Sequence, residues 1–275
     1  MAEYQTLLYE ERDHVAWVTL NRPDVHNAFN KQMQAELYDV WRGLRRNDDV
    51  RSIVLTGAGD EAFCTGIDRA EAVDSYLADP DGDRQIGRVS TPFMYDSPSR
   101  FICPKMCDLW KPVVAAVNGM ACGGALYMLG EVDIIIAAEH ATFFDPHVSY
   151  GMVSGYESVF ILQKLPLGET LRLALMGANE RMSAQRAHQV GLVSEVVPLA
   201  DLLTRAEWIA SRIAASAPLA IQATLRSVWM GHDQTRKEAL ELVNAFVSLG
   251  SNYDNIAAGQ RMFRKEDKPP DFEVR

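Results

Sequence analysis

The stretch from Lys111 to Ala138, "KPVVAAVNGMACGGALYMLGEVDIIIAA", limits what this chain can fold into more than any other segment. "KPVVAAVNG" and "VDIIIAA" are almost continuous in apolar residues. Such runs read as strands covered on both faces. Between them stand glycines and enough residues for one short helix. Further strands are expected in "HVAWVTL" (His14 to Leu20), "RSIVLTG" (Arg51 to Gly57), "ATFF" (Ala141 to Phe144) and "LVSEVV" (Leu192 to Val197). Between Phe29 and Arg46, Met33, Leu37, Val40, Trp41 and Leu44 recur at helical spacing, and Asn27 or Asn30 is positioned to cap that helix. Ser183 opens another helix, "SAQRAHQVG", which Gly191 ends. Helical patterns dominate from Leu199 onward, with breaks at Pro218 and around Gly231. Strands alternating with helices and then a helical tail predict an α/β core with a C-terminal helical extension. The turn at Pro198 divides residues 1–198 from residues 199–275.

A long stretch from Ala70 to Trp110 is rich in Asp, Gly, Pro and Ser. A loop of that length in a compact domain is expected to be a lid, a binding element or a mobile segment. Its Phe93, Met94, Tyr95 and Phe101 either line a pocket or anchor the segment to the core.

Composition excludes several classes of function. With a formal charge of −10, the chain repels a phosphate backbone, so nucleic acid is not an expected partner. No apolar run reaches the roughly 18 residues of a membrane span. The first residues, "MAEYQTLLYEERDHV", lack a basic start and an apolar core, so a cytoplasmic location is expected. The four cysteines, Cys64, Cys103, Cys107 and Cys122, form no C-x-x-C pair, and no metal site is expected from them. They read as reduced, partly buried thiols.

The glycine turn "NGMACGG" (Asn118 to Gly124) invites a phosphate-binding reading, and the spacing refuses it. No Lys-Ser/Thr follows the glycines, and Gly119, Gly123 and Gly124 do not fit G-x-G-x-x-G. A second turn, "GAGDEAFCTGID" (Gly57 to Asp68), places Gly66 and Ile67 where an amide can point into a cleft. One N–H group from each turn would suit an oxygen that gains charge during a reaction.

Five segments, in order, carry a resemblance: "LNRPDVHNAFN", "IVLTGAGDEAFCTGID", "KPVVAAVNGMACGGALYMLGEVDIIIAAEHATFFDP", "MGANERMSAQRAHQVGLVSEVV" and "GQRMFRKEDKPPDF". With them the chain resembles the enoyl-CoA hydratase/isomerase, or crotonase, family over nearly its whole length. The resemblance implies a spiral of ββα repeats and a C-terminal helical region that packs between subunits. It implies homotrimers or dimers of trimers, and acyl thioesters of coenzyme A as substrates, with no permanently bound cofactor. It assigns an oxyanion hole to the backbone N–H groups of Ile67 and Gly124. Coenzyme A would lie along the turn of Arg22 and Ala28 and the stretch of Gly66 and Asp68, with Lys265 reaching the nucleotide phosphates.

The resemblance also marks a departure. The two positions that hold glutamates in the family's hydratases are Tyr127 and His147 here. Tyrosine, with a pKa near 10, is a poor base at neutral pH, whereas histidine, near 6.5, serves as acid or base. Asp145 or Glu157 would orient and charge His147. Three readings follow. The first is an acyl-CoA enzyme with His147-based chemistry other than simple hydration, of hydrolase, isomerase or decarboxylase type. The second is an enoyl-CoA hydratase that uses His147 or Glu157. The third is a non-catalytic acyl-CoA binder or scaffold.

Overall fold

The computed structural model describes residues 4–71, 97–261 and 272–275. They form two compact units, Met1–Ala214 and Ala215–Arg275.

The first unit is built on two sheets. The six-stranded sheet holds β1 (Leu7–Arg12), β2 (Val15–Leu20), β3 (Ser52–Gly57), β5 (Val113–Val117), β7 (Ile134–Ala138) and β10 (Glu195–Val197), in that order. The four-stranded sheet holds β4 (Ala62–Cys64), β6 (Met120–Cys122), β8 (Thr142–Phe144) and β9 (Met182–Ser183). β3, β5 and β7 run parallel in the first sheet, and each hands over at once to β4, β6 or β8 in the second. The repeated passage from one sheet to the other is the expected spiral.

Corners this tight need special residues. Asn118 Nδ2 donates to Gly59 O at 2.8 Å and Ala62 O at 3.1 Å, and its Oδ1 accepts from Gly57 N at 3.1 Å. Next to it, a Cβ on Gly119 would stand 2.3 Å from Glu61 O, so only glycine fits there.

Alternation along the strands sorts the core into two faces. Ile53, Leu55, Val113, Ala115, Val117, Ile135 and Ala137 face α1 (Lys31–Leu44) and α3 (Ala125–Glu131). Val54, Val114, Ala116, Ile136 and Ala138 face α7 (Leu199–Ala214), which answers with Leu202, Ala206, Ala210 and Ala214. Small residues every fourth position let α7 lie close on the sheet, and Ser52 Oγ donates to Ala210 O at 2.8 Å. For this reason the first unit extends to Ala214 rather than stopping at the turn of Pro198.

Asn30, not Asn27, caps α1: its Oδ1 accepts from Met33 N at 2.9 Å. Asn27 is fully buried, with φ at +55°, and its Nδ2 donates to Ala58 O and Ala62 O. Beyond α5 (Leu167–Met176), Ser183 caps α6 (Ala184–Gln189) as expected. In the long segment after Ala70, α2 (Ser99–Ile102) is present, and Phe101 packs on the core beside Tyr38, with ring centroids 5.9 Å apart. Phe93, Met94 and Tyr95 lie outside the described residues.

The second unit contains α8 (Pro218–Asp233), α9 (Arg236–Gly250) and α10 (Tyr253–Arg261). α8 runs through Gly231; the expected break comes instead at Thr235, which forms a capping box with Glu238. Leu219, Val228, Leu240, Leu242, Val247, Leu249 and Tyr253 are exposed within the chain.

The fold makes Trp41 a sensitive point. Its side chain is fully buried in α1, and its Nε1 donates to Ile102 O at 2.9 Å. Trp41→Ala should lower unfolding free energy by about 3–5 kcal/mol, through the cavity and the orphaned carbonyl, measured by denaturant titration.

Candidate active site

The two glycine turns meet. A Cβ built on Gly66 would stand 2.8 Å from Gly124 N, and Gly66 has φ at +86°. Phe29 fixes the first turn: its N–H donates to Gly66 O at 2.8 Å, and its carbonyl accepts from Asp68 N at 2.9 Å. Phe29 and Ile67 thus form a parallel bridge. Along a paired strand the amides alternate in direction, so Ile67 N–H points away from Phe29. Neither Ile67 N–H nor Gly124 N–H donates to another group among the described residues. The Phe29 ring lies against Gly124, where a Cβ would come within 2.5 Å of its Cζ. The glycine is therefore required by close approach.

His147 borders this turn; its Cε1 lies 3.7 Å from the Cβ position of Gly123. Pro146 precedes a short 3-10 turn, His147–Tyr150, so the chain bends back on Asp145. Asp145 Oδ1 accepts from His147 N at 3.2 Å and meets His147 Nδ1 at 2.5 Å. On the other side of the ring, Nε2 lies 3.4 Å from Glu157 Oε1. Glu157 stands in the first turn of α4 (Tyr156–Leu162) and accepts a hydrogen bond from the Tyr127 hydroxyl. Asp145 is 0% exposed and Glu157 2%, so the imidazole is held between two buried carboxylates. Both acids considered from sequence therefore engage His147, one at each ring nitrogen.

Ser154 and Ser158 went unnoticed in the sequence. Ser154 Oγ donates to Asp145 Oδ2 and lies 2.7 Å from Ser158 Oγ. No linear spacing signals that contact, because it depends on where α4 begins.

The electrostatics follow from the geometry. The hydrogen bond that the His147 ring donates to Asp145 raises the His147 pKa above its ordinary value, burial opposes it, and the Glu157 charge adds to the rise. Burial raises Glu157, and the Tyr127 hydrogen bond acts against that rise. Asp145, His147 and Glu157 offer ligand atoms within 4.8 Å of one another, brought together by the Asp145–His147 hydrogen bond and the His147–Glu157 ion pair. Burial pushes the neighbouring thiols of Cys64 and Cys122 up to about 12, which leaves them poor nucleophiles.

Tyr127 is a packed residue with a polar end. Its ring lies 5.7 Å from that of Phe160 and 6.3 Å from that of Tyr156. Arg22 pairs with Asp68 at 2.8 Å, and its Nη1 donates to Ala28 O at 2.6 Å. The residues expected along coenzyme A are thus adjacent beside the first turn. Lys265 lies outside the described residues.

Two amide N–H groups, a histidine and two buried acids are gathered here, and comparison with known proteins decides the family. The sequence pattern described as "Enoyl-CoA hydratase/isomerase" matches residues 10–275. The chain belongs to the enoyl-CoA hydratase/isomerase family. It is 34% identical to (E)-benzylidenesuccinyl-CoA hydratase of Thauera aromatica, over 82% of each chain. It is 32% identical to enoyl-CoA hydratase EchA19 of Mycobacterium tuberculosis, covering 98% of this chain and 96% of the relative. Its fold matches the crystal structure of an enoyl-CoA hydratase/isomerase from Mycobacterium paratuberculosis with a TM-score of 0.83 and 38% identity, over 97% and 98% of the two chains. Enzymes of this family act on coenzyme A thioesters without a permanent cofactor, and this member is an acyl-CoA enzyme. Among the described residues, no helix is long and apolar enough to cross a membrane.

The His147 shift has a measurable sign. Its folded pKa is raised, so its contribution to stability is complete below about 6.5 and is lost as pH rises through the folded value. The imidazole titration followed by NMR should have a midpoint above that of a free histidine, and Asp145→Asn should lower it.

Proposed function

We propose that this enzyme moves a proton at the carbons next to a thioester carbonyl, with His147 and Glu157 as the acid–base pair, rather than performing simple hydration. The observation that carries this reading is the His147 imidazole held between Asp145 and Glu157 beside the Gly66–Gly124 contact. In this reading the N–H groups of Ile67 and Gly124 hold the thioester oxygen as it becomes an enolate. Arg22, Ala28, Gly66 and Asp68 line the path of coenzyme A, and Lys265 serves its phosphates.

The raised pKa values of both partners favour a pair that keeps one proton and one vacant site. Such a pair takes a proton from the α-carbon of a 3-enoyl thioester. The electrons move to the thioester oxygen as a dienolate, and a proton returned at the γ-carbon yields the 2-enoyl thioester. Asp145 keeps its place behind the ring and stabilises the imidazolium that forms. Tyr127 and His147 stand where the hydratases of the family carry glutamates, and this favours proton transfer over water addition.

The Glu157–His147 contact also supports a second reading, hydration, with these two groups replacing the missing pair of glutamates. 3-Butenoyl-CoA in D2O separates the two. Conversion to crotonyl-CoA with deuterium in the methyl group, and slow addition of water, is the expected outcome. Rapid formation of 3-hydroxybutyryl-CoA would overturn the main reading. His147→Ala should lower the isomerisation rate by about 100-fold or more, and a variant with unchanged turnover would remove His147 from the chemistry.

The exposed apolar residues of α8 and α9 support assembly as a homotrimer or a dimer of trimers. The four free, buried cysteines suit a reducing, cytoplasmic setting. Sedimentation equilibrium should return the mass of three or six chains, and a monomer would refute the assembly.

A further inference from the structure

The peptide that joins Thr65 to Gly66 comes directly before the one that carries Ile67 N–H, and two cysteines hold its two edges. Its N–H, on Gly66, donates to Cys64 Sγ at 3.4 Å. Its carbonyl, on Thr65, accepts from Cys122 Sγ at 3.7 Å. Cys64 ends β4, which leads into the first turn, and Cys122 ends β6, which leads into the second. The Cys122 bond therefore crosses from one turn to the other. Thr65 O also stands 4.0 Å from the Cβ position of Gly123.

This clamp falls where the backbone has most freedom. Thr65 is tied on one side, its Oγ1 donating to His26 O at 3.3 Å. Gly66 O is tied on the other by Phe29 N. The peptide between these anchors turns about ψ of Thr65 and φ of Gly66. Gly66 has φ at +86°, and glycine takes either sign of φ at similar cost, so its own sterics do not keep the peptide in place. Each peptide is a plane, so holding both edges of this one sets φ at Gly66, from which the plane of Ile67 N–H departs. An acceptor that reaches the N–H two residues on is the contact that Asn, Asp and Ser side chains make in tight turns. Here a thiol makes it, and burial suits a thiol: Cys64 is 0% exposed and Cys122 5%. Burial also keeps both thiols protonated at neutral pH, so Cys122 retains the proton it donates.

We infer that Cys64 and Cys122 are positioning residues that hold the Ile67 and Gly124 amides at the spacing a thioester oxygen needs. The inference rests on the oxyanion reading of those two amides. The thiols act through the backbone, on donors that matter most as the oxygen gains charge. Their removal should therefore slow turnover more than it weakens binding.

Butyryl-CoA, isotopically labelled at its carbonyl, provides the test. It has no double bond to isomerise, and its carbonyl stretch reports hydrogen bonding directly. In the infrared difference spectrum of the bound thioester, the wild-type enzyme should move the carbonyl band to lower frequency. Cys64→Ala and Cys122→Ala should each return the band toward its position in solution. Each should also lower the rate of 3-butenoyl-CoA isomerisation about tenfold, less than the loss of a whole oxyanion donor, with the dissociation constant of butyryl-CoA changed by less than about threefold. Cys122→Ser, which keeps a donor, should restore the band. Cys103→Ala removes another fully buried thiol from the main core and should leave band and rate unchanged. Circular dichroism checks folding, and if one alanine variant does not fold, the other tests the clamp from its opposite edge. A band and rate unchanged in the alanine variants overturn the inference while the oxyanion reading stands. The inference is also overturned if Cys122→Ser behaves like Cys122→Ala, or if Cys103→Ala shows the same loss. If the wild-type enzyme does not shift the band, the oxyanion reading falls and the inference with it. If the band depends on Cys64 and Cys122 while 3-butenoyl-CoA is not isomerised, the proton-transfer reading falls and the inference stands.

Discussion

Two hydrogen bonds to the backbone of Phe29 hold the cleft in register. One comes from Phe29 N to Gly66 O and the other from Asp68 N to Phe29 O. Together they orient the amide between them, and the Phe29 ring sets the distance to Gly124. Phe29 in turn is buried in the main core, one residue from the Asn30 cap of α1. The position of a backbone donor thus derives from packing: α1 docks on the sheet, Phe29 is fixed, and Ile67 N–H acquires a direction. An oxygen that gains charge is best stabilised by donors already in place, because no reorganisation is then needed as the reaction proceeds.

The buried acids follow the same logic with charge in place of shape. A carboxylate as deeply buried as that of Asp145 is tolerated only when its oxygens are satisfied. Here one oxygen accepts from the His147 backbone and ring, and the other from Ser154. Glu157 has the Tyr127 hydroxyl and the His147 ring. The imidazole therefore cannot rotate away without removing one partner from each acid.

Much of this was legible in the sequence. The apolar runs of β5 and β7 announced a buried parallel layer, and the spacing of Leu37, Trp41 and Leu44 announced α1. The glycines at 66, 123 and 124 pointed to two turns with usable amides. Other elements left little signal. β1 alternates weakly, and the hairpin to β2 uses Asp13 and His14 at positive φ, not the Asn-Gly or Asp-Gly pair that marks such turns. β4 and β6 have three residues each, too short for a period to show. The meeting of Gly66 with Gly124 and the contact of Ser154 with Asp145 are properties of the spiral, which brings distant residues together at its corners. The division after Ala214 was hidden because α7 reads like the helices that follow it; only its alanines every fourth residue mark the face that lies on the sheet.

The route by which Glu157 reaches the cleft has a wider consequence. It arrives from the first turn of α4, whereas its partner Tyr127 lies on α3 and His147 just after β8. Three elements thus contribute to one cluster of ionisable groups beside Gly123. Their mutual positions are set by how the helices pack as much as by any one stretch of sequence, so a core substitution that shifts α4 against α3 would move an acid relative to the imidazole while leaving both residues unchanged.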